Sequence, residues 1–588
     1  MVSSELQKGA GNNGLSKWQY ALIIGTPVAA GVAYWYYRRS RDKRKKPDGS
    51  QRGPTKNLGV NKTEPSQSNR APEPNSATKK EVKAEATLPK DSLEKAKSHK
   101  NQGNKFFKEG KFDKAIECYT EAIAVCPKEY TNEIATFYQN RAAAFENLKN
   151  FGEVILDCSR AIELNKTYVK ALQRRAKAYE LKDELKKCLE DITAVCILEG
   201  FQNQSSLLAT DRVLKKLGKV HAKEALKTRG THLPSKHFIF NYFESFCEDP
   251  VGEDLRRYRQ GGSSAKDSSE LSEYDKALKC VAEERFEEVV NHCTSQIQKG
   301  SAPETDLALL LRATFHMLGC APHKAKEDLK ALLDKGDAVD TKVRVNAMIK
   351  LGTLKLHAEQ IEEALQEFSK AANLDDKNAD VFLHRGQVLL MQDLIEDTLK
   401  DLETSAELRP DFPSALAQKY YVQYRCAVRN GDMQLRKEAL DGFQQLHEKF
   451  PRFPESFLLY AQLLTELQEF DKAQEYFRKA QEVDPSDPNV YVHMGLMQIQ
   501  WKQDFNEAVS LFQQAIRHDS KCQFAYESLG SLQVQRGLLK EGLDAFEKAI
   551  ELAQTETELA HLCALRDAAE AQANVAARLG IPVGPGLH

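Results

Sequence analysis

Lys100 and Asn104 stand four residues apart, Lys170 and Arg174 do the same, and Asn140 lies between the two pairs. On a helix, an i, i+4 spacing puts both members on one face, so each pair offers two polar groups in one direction. Three cations and two amides with no carboxylate among them describe an anion cradle. Lys and Arg supply charge-assisted donors, and the amides supply neutral ones. The chemistry is the holding of a negatively charged group. For side chains spread over residues 100–174 to act together, helices distant in sequence must meet on one surface.

The chain supplies such helices. After residue 93 it repeats with a period of 34. Numbered from its first residue, each repeat asks for small side chains at positions 8, 20 and 27, large ones at 11 and 24, and often Pro at 32. Residues 96–129 comply with Gly103, Phe106, Ala115, Tyr119, Ala122 and Pro127, and residues 454–487 with Ala461, Leu464, Ala473, Phe477, Ala480 and Pro485. The cause is steric. Antiparallel helices cross closely only where small side chains face each other, and a proline after the second helix stops it before the next hairpin. Gly352, Ala364, Phe368 and Ala371 return 34 residues later as Gly386, Thr398, Leu402 and Ser405, closed by Pro410. Gly495, Ala508, Phe512 and Ala515 return as Gly530, Gly542, Phe546 and Ala549, with one residue inserted in the earlier copy. Weaker copies start near 135, 169, 270, 306 and 413, giving eleven in all. This is the tetratricopeptide repeat (TPR). The predicted fold is all-α, a TPR superhelical solenoid in two groups, with one N-terminal transmembrane helix.

In a TPR array the first helix of each hairpin, helix A, lines the concave groove. Lys100 and Asn104 hold positions 5 and 9 of the first repeat, Asn140 position 6 of the second, and Lys170 and Arg174 positions 2 and 6 of the third. The repeats therefore bring the cradle together. In the second group, position 2 supplies Asn346, Asp380, Glu455 and Asn489, and position 5 supplies Ile349, Leu383, Leu458 and Val492. That combination suggests a groove for an apolar segment with some positive charge, such as a basic amphipathic helix. The alternative is that the acids solvate the edge of the array while Leu383 and Leu458 pack between repeats.

Outside the repeats, Trp18 to Tyr37 is twenty residues without a charge, enough to cross a hydrocarbon layer about 30 Å thick. Trp18 and Tyr20 at one end, and Tyr34 to Tyr37 at the other, form interfacial belts. Arg38, Arg39, Arg41, Lys43, Arg44, Lys45 and Lys46 follow, against only Lys8 and Lys17 before the span, so the bulk of the chain is expected in the cytosol. A cleaved signal peptide ending near Gly31-Val32-Ala33 competes, but signal peptides carry charge before a shorter apolar run. Ala21, Gly25, Ala29 and Ala33 recur every fourth residue, which would let another helix approach closely; the plainer reading is a weakly apolar anchor containing Pro27.

The expected organisation is a short tail at 1–17, the anchor at 18–37, a basic flank and disordered linker at 38–92, three repeats at 93–202, a connector at 203–269, and eight repeats with a capping helix at 270–588. The linker has almost no large aliphatics to offset its ordering entropy and reaches about 35 to 40 Å as a coil. The connector starts helical from Leu207 to Lys227, passes Leu233-Pro234 and ends at Gly261-Gly262-Ser263-Ser264, which suggests a hinge. Its His232 and His237 flank a proline turn and are expected at the surface. The capping helix runs from about Glu556 to Leu579 and closes the second array.

The remaining chemistry is sparse. With 84 Lys+Arg against 85 Asp+Glu, no global charge points to nucleic acid. The twelve cysteines include no C-x-x-C pair, so they are expected as reduced, small apolar core residues with no metal role. No P-loop, zinc-protease or nucleophile-elbow motif is present. Neither a catalytic residue nor a cofactor is expected.

Two resemblances add to this reading. The set K-N-x-G-N, N-R and V-K-A-L-x-R-R resembles the dicarboxylate clamp of TPR co-chaperones, which grips the C-terminal Glu-Glu-Val-Asp tail of the seventy- and ninety-kilodalton heat-shock chaperones. It implies that Lys100, Lys170 and Arg174 pair with carboxylates while Asn104 and Asn140 bond the peptide end. The order of anchor, basic flank, linker, clamp and second array, with F-Y-Q-N-R-A-A-A-F-E, A-V-C-I-L-E-G-F-Q-N-Q and Q-W-K-Q-D, resembles over residues 18–580 the seventy-kilodalton preprotein import receptor family of the outer mitochondrial membrane translocase. That resemblance implies a single-pass outer-membrane protein with its N-terminus in the intermembrane space. Its partners would be other translocase subunits and precursors with internal targeting signals, such as carrier proteins, handed on to the pore. A membrane-tethered co-chaperone or scaffold at another organelle, such as the endoplasmic reticulum, is the alternative.

Overall fold

The computed structural model describes residues 88–230, 232–260, 271–300 and 303–580. The expected anchor at 18–37 and the Gly/Ser stretch at 261–264 lie outside the described residues, as does nearly all of the linker. Among the described residues no helix is long and apolar enough to cross a membrane. The regular elements there are α-helices, apart from one 3-10 turn at Gly336–Ala338. They divide into two compact units between Glu199 and Gly200.

The first unit is three antiparallel hairpins: Leu88–Lys108 with Phe112–Val125, Thr131–Asn147 with Phe151–Leu164, and Val169–Leu181 with Leu185–Leu198. The recurring small residues do what their spacing implied. Tyr119 lies against Gly103 so closely that a Cβ there would sit 2.7 Å from its ring. The same notch recurs in the second unit, where Phe368 covers Gly352, Phe512 covers Gly495 and Phe546 covers Gly530, each leaving under 3 Å for a Cβ. Turns between helices A and B share one conformation: position 15 has a positive φ at Gly110, Lys149, Asp183, Glu284, Cys320, Glu359, Asp393, Gln468 and Gly537.

In the second unit, hairpins follow from Glu273–Ala282 with Phe286–Lys299 to Gln523–Gln535 with Leu539–Leu552, and Glu556–Leu579 ends the array. That last helix starts with a capping box between Thr555 and Glu558, which satisfies the first free amides reciprocally. The core runs between the A and B layers in two large clusters, one from Ile239 to Met391 and one from Leu383 to Leu532.

The interval expected as a hinge is, over its described residues, part of this unit. Helix Gln204–Thr228 packs on Glu556–Leu579 so tightly that a Cβ on Gly218 would come 2.2 Å from the Ala560 carbonyl oxygen. His221 Nδ1 lies 2.8 Å from Asp567 Oδ2 beside them. Helices Lys236–Glu244 and Pro250–Arg259 bury Ile239, Tyr242, Phe243, Val251 and Leu255 in the core of the first hairpins. His237, expected at the surface, is partly buried 3.4 Å from Asp487. The 34-residue period breaks here because this stretch fills space between repeats instead of making one. The array also touches itself across long sequence distances: Cys320 Sγ is 2.8 Å from the Gln554 carbonyl oxygen, and Lys219 pairs with Glu359 at 3.0 Å.

Candidate functional site

Adjacent residues of the second and third A helices in the first unit do different work. Arg141 and Arg175, at position 7, fork onto Asp157 and Asp191 of their own B helices through two bonds of 2.7–2.8 Å each. Each also donates to a hydroxyl of the preceding hairpin, Thr120 or Ser159, at 2.9 Å. These arginines stitch one repeat to the next. Arg312 with Asp328 and Arg385 with Asp401 repeat the fork in the second unit, again sixteen residues apart. The periodicity of small residues did not reveal it; the recurrence of Arg at position 7 with Asp at position 23 was the available signal.

One residue earlier on the helix, the side chains face the groove. Asn140 Nδ2 donates to Asn104 Oδ1 at 3.4 Å, joining the first two A helices. Tyr119 donates its hydroxyl to the same oxygen at 2.8 Å. Burial pushes the Tyr119 phenol up to about 12, so it remains a donor and fixes the Asn104 amide. Arg174 reaches from the third A helix to the Gln139 carbonyl at 3.3 Å, next to Asn140 in the chain. The A helices thus bring Asn104, Asn140 and Arg174 into one neighbourhood. Lys100 lies one turn before Asn104 and is half-buried, and Lys170 lies one turn before Arg174 and is exposed. Among the described residues neither lysine has a hydrogen-bond or ion-pair partner.

The sequence suggested a cradle without carboxylates, and the structure corrects this by placing Glu146 beside Arg174. Glu146 accepts from Arg174 Nε and from Lys177 Nζ, both at 2.8 Å. Burial raises the Glu146 carboxyl, but the bonds from Lys177 and Arg174 outweigh it and hold the group below its ordinary value. Glu146 therefore stays charged and aims the Arg174 guanidinium.

In the second unit most of the expected groove residues belong to the core. Leu383 and Val492 are fully buried, Leu458 nearly so, and all three lie in one cluster; Ile349 lies in the other. Asp380 is buried and accepts the backbone N–H of Cys247 at 2.9 Å and of Glu248 at 2.8 Å. Burial pushes its carboxyl up to about 6. Burial likewise pushes Glu455, beside Ser414 and Gln418, up to about 7, so it is a poor anchor for a cation. Asn489 Nδ2 bonds Asp487 at 3.0 Å, and Asn346 bonds Lys350 at 2.7 Å. Position 5 is apolar here because these A helices are covered on both sides. Open apolar surface lies elsewhere, in a cavity of about 370 Å³ lined by residues including Leu226, Phe238, Met317, Leu354 and His357.

All twelve cysteines are free and ten are buried, which fits small apolar core residues. Cys280, Glu288 and His292 bring ligand atoms within 4.8 Å of one another. Glu288 is engaged by Arg285, and His292 by Glu273 at 2.9 Å, so the group is explained as an ion-pair network at a hairpin turn.

Fold and groove together define a TPR protein. Tetratricopeptide repeat profiles match residues 96–129, 454–487 and 502–557. The chain is 43% identical to mitochondrial import receptor subunit TOM70 of Homo sapiens over 97% of this chain and 94% of that protein. It is 42% identical to the subunit of the same name from Rattus norvegicus, again over 97% and 94%. The crystal structure of yeast Tom70 superposes with a TM-score of 0.46 at 24% identity, covering 82% of this chain and 96% of that one. The chain belongs to the TOM70 family of mitochondrial import receptor subunits.

Proposed function

We propose that this chain is a single-pass import receptor of the mitochondrial outer membrane. Its groove over residues 93–202 docks the acidic C-terminal tails of the seventy- and ninety-kilodalton heat-shock chaperones. The second unit then takes precursor proteins with internal targeting signals, such as carriers, for transfer to the translocation pore with other translocase subunits. Residues 18–37 hold it in the membrane, residues 1–17 lie in the intermembrane space, and the rest is cytosolic.

The observation that carries the tail-binding role is the meeting of three A helices at Asn104, Asn140 and Arg174, with Lys100 and Lys170 unpaired one turn away. A terminal carboxylate and an aspartate side chain need several donors at once. Charge-assisted bonds contribute about 1.5–3 kcal/mol each, so a few of them reach micromolar affinity, about −8 kcal/mol, after binding costs. Precursor segments are received at the apolar cavity, which has polar groups at its rim and room for the side chains of an incoming segment.

Calorimetry with a peptide ending in Glu-Glu-Val-Asp tests the first role: micromolar binding is expected, and Lys100→Ala or Arg174→Ala weakens it by about 10- to 150-fold. Unchanged affinity in both variants would remove the clamp. Photo-crosslinkers placed separately at Met317 and at Lys170 test the second role, and precursor adducts at Lys170 alone would refute it. Imaging the first 60 residues fused to a fluorescent protein tests the location.

A further inference from the structure

At the repeats starting at 345 and 379, the concave face of the second array is occupied by the chain itself. Lys350 is position 6 of the first of these repeats and Asp380 is position 2 of the second. In the first unit those positions supply Asn140 and Arg174, and Lys170. Residues Phe246 to Asp249 run across them. Asp249 places Oδ2 on Lys350 Nζ at 2.8 Å, with both side chains fully buried. Asp380 holds the backbone N–H groups of Cys247 and Glu248. The Ala379 N–H, at the start of an A helix, donates to Glu248 Oε1 at 3.2 Å, and Arg409 lies 3.9 Å from the same oxygen. The Phe246 ring centroid is 4.4 Å from Lys350 Nζ and 4.3 Å from the His384 ring.

This is how a groove holds an extended acidic peptide: a fixed acceptor takes backbone donors, each acidic side chain has its own donor, and an aromatic ring anchors one end. We propose that this stretch of groove is a binding site for an acidic, phenylalanine-bearing segment, filled in cis by Phe246–Asp249 and so closed to partners. Pulling the segment out would leave Lys350 buried without its counter-charge, which keeps the site shut. Acidic chain ends are thereby denied a foothold on this part of the second array. The inference does not rest on the reading of the first unit, because the ligand is the chain's own.

Two measurements on the full chain test it. By hydrogen exchange, the amides of Cys247 and Glu248 should exchange within about tenfold of those in helix Thr341–His357. Exchange more than roughly a hundredfold faster would mean that the segment opens, and would overturn the closure. The second measurement uses a fluorescent, C-terminally amidated peptide of residues 243–252, with Arg174→Ala as background to remove the first groove. The peptide should bind the Asp249→Ala chain at least about tenfold more tightly than the Asp249 chain, a difference of about 1.4 kcal/mol, and Lys350→Ala should abolish that gain. Equal binding to both chains, or none to an Asp249→Ala chain that keeps its helical circular dichroism, would overturn the proposal. If Asp249→Ala does not fold, Asp249→Asn, which keeps an acceptor for Lys350, replaces it with the same outcomes.

Discussion

Arg174 and Arg175 are neighbours in the chain and opposites in role. A step of one residue turns a helix by about 100°, so Arg174 faces the groove while Arg175 enters the seam between helices and forks onto Asp191, which is 1% exposed. Arg174→Ala should weaken tail binding by about 10- to 150-fold, the range of a charge-assisted bond. Its unfolding midpoint should stay near wild type, since Glu146 keeps Lys177 as a partner. Arg175→Ala should instead destabilise the first unit by about 1.5–3 kcal/mol, because it removes a charge-assisted fork from a buried carboxylate; urea unfolding measures it. Register in the repeats singles out Arg174 beside Asn140, and the structure brings those two helices together. Register could not find Glu146, since an acid at position 12 of a repeat looks like any solvated residue until the next hairpin delivers a cation to it. Nor could spacing tell that Leu383 and Val492 are covered on both faces, because burial of a position depends on what packs from outside the repeat.

The hairpin was the most legible element, and its limits are physical too. Small residues at positions 8 and 20 are forced by the close crossing of two helices, so they are written into composition. Gly352→Ala should cost about 1–3 kcal/mol, as its Cβ would meet the Phe368 ring at 2.8 Å; thermal unfolding of the chain reads it. The turn between helices is different. Position 15 needs a left-handed backbone in nine repeats, yet Gly stands there only at Gly110 and Gly537. A left-handed conformation costs a non-glycine residue about 1–2 kcal/mol, partly offset by the larger entropy that glycine loses. Gln468→Gly, at a φ of 61°, should therefore raise stability by about 0.5–1 kcal/mol, seen as a higher denaturant midpoint. The connector was least legible. Tyr242, Phe243, Phe246 and Val251 have no period to read, because they fill gaps set by the curvature of other elements.

Taken as a body, the second unit buries acids as well as apolar groups, and this sets its response to pH. Burial pushes both Glu455 and Glu466 up to about 7 from an ordinary 4.5. Such a carboxyl binds its proton more tightly in the folded chain, so its contribution is full below about pH 4.5 and is lost as pH rises through about 7. Glu455→Gln should raise the melting temperature at pH 7.5 and leave it nearly unchanged at pH 5; a gain of equal size at both would refute the assignment. The packing of Gln204–Thr228 on Glu556–Leu579 has a consequence during synthesis. The earlier helix leaves the ribosome roughly 330 residues before its partner, a wait of about 15 to 65 seconds at ordinary elongation rates. Throughout that interval Ala222 waits for Leu559, Ala560 and Leu562, the residues that bury it in the finished chain.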